Sequence, residues 1–95
     1  MANSVIRAKP KWYRLTDISY VSGGTKTVSY DYKGNGFLRV ARDTRIQAFF
    51  TVQDSGCALV SDTGSVTGMI AATVEDNKLK VSNSAQYSVV PYYFY

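Results

Sequence analysis

Histidine is missing from this chain. With it go the commonest general base near neutral pH and the commonest zinc ligand. Ser-His and Cys-His nucleophile pairs are excluded on the same ground. The carboxylates Asp17, Asp31, Asp43, Asp54, Asp62 and Asp76 mostly stand beside turn residues, where aspartate hydrogen-bonds nearby backbone. Their expected work is turn chemistry, not acid–base catalysis. Asp54-Ser55-Gly56 and Ser61-Asp62-Thr63-Gly64 offer oxygens to a calcium ion but lack the alternating acids of a calcium loop. No CxxC, P-loop or GxGxxG occurs. The sequence therefore predicts no catalytic residue, no cofactor and no metal. Cys57, the one cysteine, lies in the apolar run Cys57-Ala58-Leu59-Val60 and reads as a small core residue. A single thiol closes no internal disulfide, which fits synthesis in a reducing cytosol.

The chemistry that remains is binding. The formal net charge of +4 equals the charge of Arg7, Lys9, Lys11 and Arg14, and the other seven basic residues balance the seven acids. This basic arm has two functional readings. One is docking on an acidic partner protein. The other is neutralising nucleic-acid phosphates while Trp12 and Tyr13 stack on bases. A solvated terminus is the bland alternative. Arg39, Arg42 and Arg45 recur every three residues, a spacing that shares no strand face, and read as surface charge.

The elements that must position these residues are strands. A chain of 95 residues is one domain with one core, burying roughly 60–65% of the surface its unfolded form exposes. Hydrophobic content of 45% against 19% charged excludes a wholly disordered chain. Residues 1–11 lack periodicity and read as an extended arm; residues 12–95 read as one β domain. Trp12 to Tyr20 is rich in strand formers. Lys26 to Tyr32 alternates, with Val28, Tyr30 and Tyr32 on one side. Phe37 to Ala41 is a short strand. Arg45 to Gln53 alternates most cleanly: Ile46, Ala48, Phe50 and Val52 form a core face, opposite Gln47, Thr51 and Gln53, and the ring of Phe49 needs cover on that second side. Cys57 to Val60 reads as a central strand, residues 61–65 as a loop, and Val66 to Glu75 as a strand despite its helix-compatible Met69-Ile70-Ala71-Ala72. Asp76-Asn77 reads as a two-residue hairpin turn. Tyr87 to Tyr95 is the last strand. Seven to eight short strands with regular turns predict an all-β, antiparallel β-sandwich or barrel. No apolar run reaches the roughly 20 residues of a membrane-spanning helix, and no apolar segment of a signal peptide follows the basic residues.

The end of the chain, Val90-Pro91-Tyr92-Tyr93-Phe94-Tyr95, puts two rings on each face of a strand. Pro91 has no N–H and favours a sheet edge. Four rings on such a strand predict either a central strand whose rings are plain core or an edge strand whose Tyr92, Tyr93, Phe94 and Tyr95 form a subunit interface.

The polar N-terminal anchor, the body of short Thr/Ser/Val/Tyr strands, the hairpin Glu75-Asp76-Asn77-Lys78-Leu79-Lys80-Val81 and this closing segment resemble the small β-rich accessory structural proteins of tailed bacteriophages. These are head-decoration proteins, head fibres and tail-fibre-tip domains. The resemblance is one of style over most of the chain and carries no motif residue by residue. It implies a non-enzymatic virion component made in the host cytoplasm, often trimeric, present in many copies on a major capsid or tail protein. On that reading Arg7, Lys9, Lys11 and Arg14 anchor the arm. A small nucleic-acid-binding β-barrel and a phage-encoded inhibitor of a host defence enzyme are the alternatives.

Overall fold

The computed structural model describes residues 9–63 and 68–95. They form an all-β sandwich of two antiparallel sheets. The strands are β1 (Trp12–Arg14), β2 (Lys26–Asp31), β3 (Gly36–Asp43), β4 (Ile46–Gln53), β5 (Gly56–Thr63), β6 (Ile70–Glu75), β7 (Lys78–Asn83) and β8 (Val90–Phe94). The larger sheet has the order β1-β8-β3-β4-β5 and the smaller the order β2-β7-β6.

The core lies where the alternation of each strand turns its apolar side inward. Leu38 and Val40 of β3, Ala48, Phe50 and Val52 of β4, and Tyr93 of β8 meet Leu79 and Val81 of β7 and Ile70 of β6. Ile18 and Val89, both buried, close one end of the sandwich through paired backbone hydrogen bonds of 2.9 and 3.1 Å. As expected, Phe50 is core, and Ile46 packs against it half-buried. Asn83 is the one buried polar side chain among the described residues. Its Nδ2 donates to the carbonyls of Ile18 and Tyr87, and its Oδ1 accepts from the Ala85 N–H. The amide thus ties the segment holding Ile18 to the loop after β7 that holds Ala85 and Tyr87.

The Asp76-Asn77 turn has φ of 53° and 61° and closes the Glu75–Lys78 pair. Positive φ at both central residues is the conformation whose twist matches the flanking strands. At the corner between β3 and β4 the Asp43 carboxylate accepts the N–H of Arg45 (2.8 Å) and of Ile46 (3.1 Å). Those bonds, with Arg42 beside it, hold its carboxyl below the usual range.

Several expectations change. The last strand is not an edge: β8 lies between β1 and β3. Pro91 is tolerated there because the β1 ladder stops at the Arg14–Tyr92 pair, and at Pro91 itself only the Leu15 N–H, donating to the Pro91 carbonyl at 2.9 Å, joins the two segments. The apolar run Cys57–Val60 is not central but part of the edge strand β5, and its Ala58, Leu59 and Val60 are exposed. β5 continues through Ser61, Asp62 and Thr63, expected as loop, because Asp62 and Thr63 pair with Ala48 and Gln47 beyond a bulge at Val60. Of the segment Trp12 to Tyr20 only Trp12–Arg14 is strand. Of Val66 to Glu75, Ile70–Glu75 is strand, and Val66 and Thr67 lie outside the described residues. The arm is shorter than residues 1–11. Lys11 exchanges backbone hydrogen bonds with Tyr95 at 3.2 and 3.3 Å and so extends the β1–β8 ladder. Trypsin should therefore cut far more slowly after Lys11 in the folded protein than after urea denaturation.

Two core tyrosines make the fold sensitive to alkali. Burial pushes the hydroxyls of Tyr93 and Tyr30 above the usual tyrosine range. As pH rises past about 10 the unfolded chain ionises these groups first. The unfolded state then holds fewer protons than the folded one, so stability falls with pH. The melting temperature should drop between pH 8 and pH 10.5, and Tyr93→Phe should remove part of that slope.

Candidate functional site

The two outer faces of the sandwich are chemically unlike. On the smaller sheet the outward positions are polar apart from Ala71, and several are paired across strands. Lys78 meets Asp31 at 2.7 Å, Lys80 meets Glu75 at 3.0 Å, and Thr27 meets Ser82 at 2.8 Å. Such pairs add little stability at a solvated surface, and the one apolar outward strand residue described there is the small Ala71.

On the larger sheet the outward positions follow from the register. One cross-strand row contains Trp12 of β1, Phe94 of β8 and Phe37 of β3. Its ring centroids are 5.1 Å apart between Trp12 and Phe94 and 6.2 Å apart between Phe94 and Phe37. Trp12 is 47% exposed and Phe37 49% exposed, which for rings in a packed sheet is high. Two residues further along the strands, a second row contains Arg14, Tyr92, Arg39 and Phe49. The Arg39 guanidinium lies 5.1 Å over the Tyr92 ring, and its Nε donates to Gln47 Oε1 at 2.7 Å. Arg14 pairs with Asp17 at 3.3 Å, with both side chains largely exposed, a weak attachment that an incoming anion can replace. The other outward strand positions, Val90, Ala41, Gln47, Thr51, Gln53, Ala58, Ser61 and Thr63, are uncharged. No described strand residue on this face is acidic.

Phe37 stands as a ridge between two hollows. One, of about 490 Å³, is lined by Lys9, Pro10, Asn35, Gly36, Phe37, Phe94 and Tyr95. The other, of about 280 Å³, reaches Thr51 and Gln53 on β4. Asn35 borders both, and its Oδ1 accepts from the Tyr32 hydroxyl at 2.7 Å, which fixes the amide.

Comparison with protein-family profiles, with curated proteins and with solved structures gives no match. The site therefore rests on its own geometry.

The expected interface residues divide. Tyr92 and Phe94 face outward. Tyr93 does not: it is 1% exposed, and its hydroxyl accepts from the Lys33 N–H and donates to the Gly34 carbonyl. Tyr95 lies on the same side as Tyr93, at 4.6 Å between centroids, and stacks on Tyr13 at 4.3 Å. Tyr13, expected to stack on bases beside Trp12, is thereby committed inside. Of the arm residues, Lys9 borders the larger hollow, Lys11 lies 5.0 Å over the Tyr13 ring and Arg14 is on the outer face, while Arg7 lies outside the described residues. Phe37, Arg39 and Phe49 were not singled out as partner-binding by sequence. Their alternation with core residues placed them opposite the core, but only the β3–β8 pairing sets them beside Trp12 and Phe94.

No group of three or more metal-ligating side chains is found among the described residues, and no described helix is long and apolar enough to cross a membrane. Cys57 is half-buried, and burial pushes its thiol up to about 11. At pH 7.5 the thiolate, the reactive form, is then scarce. Native Cys57 should react with iodoacetamide more than tenfold more slowly than the unfolded chain, as mass spectrometry would show.

Proposed function

We propose that this protein is a non-enzymatic structural component of a virus particle, present in many copies, that attaches through the outer face of its five-stranded sheet. The observation that carries the reading is the exposed row Trp12–Phe94–Phe37 flanked by Arg14 and Arg39. Aromatic and arginine side chains are the types enriched at the energetic centres of interfaces. The opposite face of the sandwich is polar and internally paired, so the asymmetry gives the domain a bound side and a solvent side. The resemblance to phage accessory proteins supports a particle as the setting, with Arg14 on the face and Lys9 beside its larger hollow adding attraction to a negatively charged support.

The test uses particles purified from the source. Mass spectrometry should find the protein at tens of copies per particle. The double variant Trp12→Ser, Phe37→Ser should fold, melt within a few degrees of the parent and fail to be retained. Absence from particles, or retention of the folded double variant, would overturn the reading.

A further inference from the structure

The two rows of the outer face have different chemistry and run side by side. Trp12, Phe94 and Phe37 form an aromatic row; Arg14, Tyr92 and Arg39 form a cationic row displaced by two residues, or about 6.7 Å along the strands. Neighbouring members of each row sit on adjacent strands, about 4.8 Å apart. A ligand that fits must repeat a planar apolar ring on one side and a negative charge on the other. Single-stranded nucleic acid is such a polymer: its bases stack on aromatic rings, and its phosphates follow a positive track.

We infer that the outer face of the five-stranded sheet binds a single-stranded polynucleotide, lying across the strands with bases on Trp12, Phe94 and Phe37 and phosphates against Arg14 and Arg39. This rests on the reading of that face as the attachment surface and names its occupant. The hollows beside Phe37 admit a base edge-on against the ring. Asn35 lines both hollows with its Oδ1 held by Tyr32, which aims its Nδ2 donors away from that bond and toward base acceptors. Arg39 is prepositioned by Tyr92 and Gln47, so little side-chain freedom is lost on meeting a phosphate. Charge disfavours a second copy on this face. Two copies packed face to face would oppose their Arg39 side chains with no strand acid between them, while each Arg14 already has Asp17 beside it.

The single tryptophan is Trp12, so its emission reports on the site directly. The full chain is titrated at low salt with an oligothymidylate of about 12 nucleotides, a length within the usual site size. Quenching should saturate. Its affinity should fall with salt at a logarithmic slope near −1.4, as expected for about two phosphates at roughly −0.7 each. Phe37→Ser should weaken binding about tenfold or more, Arg39→Gln should weaken it and lower the slope by about 0.7, and Lys78→Gln on the opposite face should change neither. Melting curves confirm that each variant is folded. Polyglutamate and dextran sulfate form parallel arms. Quenching by polyglutamate without quenching by the oligonucleotide would overturn this inference and leave the face as a site for an acidic protein. Equal binding of dextran sulfate, insensitive to Phe37→Ser, would overturn it in favour of plain charge attraction. No binding in any arm would overturn the inference alone, and loss of retention on particles by the Trp12→Ser, Phe37→Ser variant would then still uphold the attachment face.

Discussion

Tyr93→Ala should unfold the protein at room temperature or leave it with a melting temperature far below the parent. Tyr93 is the largest fully buried side chain and reaches from β8 across the core to the turn before β3. Removing an aromatic ring from a packed core costs about 3–5 kcal/mol. The whole stability of a small domain is about 5–15 kcal/mol, with short chains at the low end. The hydroxyl adds a separate share. It satisfies the Lys33 N–H and the Gly34 carbonyl at once in a part-buried turn, where leaving both without that partner costs toward the low end of about 1–3 kcal/mol. Tyr93→Phe should therefore fold, with a stability loss in that smaller range. Phe50→Ala belongs with Tyr93→Ala, since Phe50 is 5% exposed on the inner face of β4. Chemical denaturation of the three variants checks the ordering. A Tyr93→Ala protein as stable as its parent would mean that β8 does not carry the core.

Gly36→Ala should destabilise the protein strongly for a change of one methyl group. A Cβ built at Gly36 falls 1.7 Å from the carbonyl oxygen of Phe94 and 2.9 Å from its carbon. Both are backbone atoms of the neighbouring strand, so no side chain can rotate away. The β3–β8 ladder must separate at its end, where Phe37 faces Phe94. Overpacking typically costs about 1–3 kcal/mol, and a backbone clash this close belongs at the upper end. The effect should extend beyond stability. Opening the ladder there moves Phe37 relative to Phe94 and deforms the larger hollow that both line. Gly24→Ala gives the comparison, because its nearest neighbour is the flexible Val21 side chain at 3.4 Å. It should melt close to the parent, whereas Gly36→Ala should not.

These predictions and the proposed site share one structural cause. The chain places β8 between β1 and β3, which forces the rings of the last strand to alternate between two environments. Tyr93 and Tyr95 go inward and are spent on stability; Tyr92 and Phe94 go outward and join residues from distant parts of the sequence. The inward set is the reason that mutating Tyr93 tests the fold, and the outward set is the reason that mutating Phe37 or Trp12 tests binding. A protein that needed only a core would gain nothing from leaving Trp12 and Phe37 half in water, since burying such rings is worth about 25 cal/mol per Å².

Local chemistry was enough to determine the strands and several turns. The alternation Ile46, Ala48, Phe50, Val52 named a core face, because successive side chains of a strand point to opposite sides whatever it pairs with. Asp76-Asn77 named a hairpin turn, because two adjacent residues tolerant of positive φ between strand formers fit little else. The absence of histidine removed whole reaction classes directly. What the sequence left open was pairing. The missing N–H of Pro91 suggests an edge, yet β8 lies between β1 and β3, and the proline falls just where the β1 ladder has ended at Arg14. The run Cys57-Ala58-Leu59-Val60 was read as central from its apolarity, yet strand order puts it at an edge. Both readings treated a residue's own preference as a statement about its neighbours. The docking face follows the same rule: the outward side of β3 and β4 was legible from alternation, but only the register of β8 with β1 and β3 brings Trp12, Phe94, Phe37, Arg14 and Arg39 together. Strand order is a property of long-range contacts, which no local pattern contains, and it decided which aromatic side chains became core and which became surface.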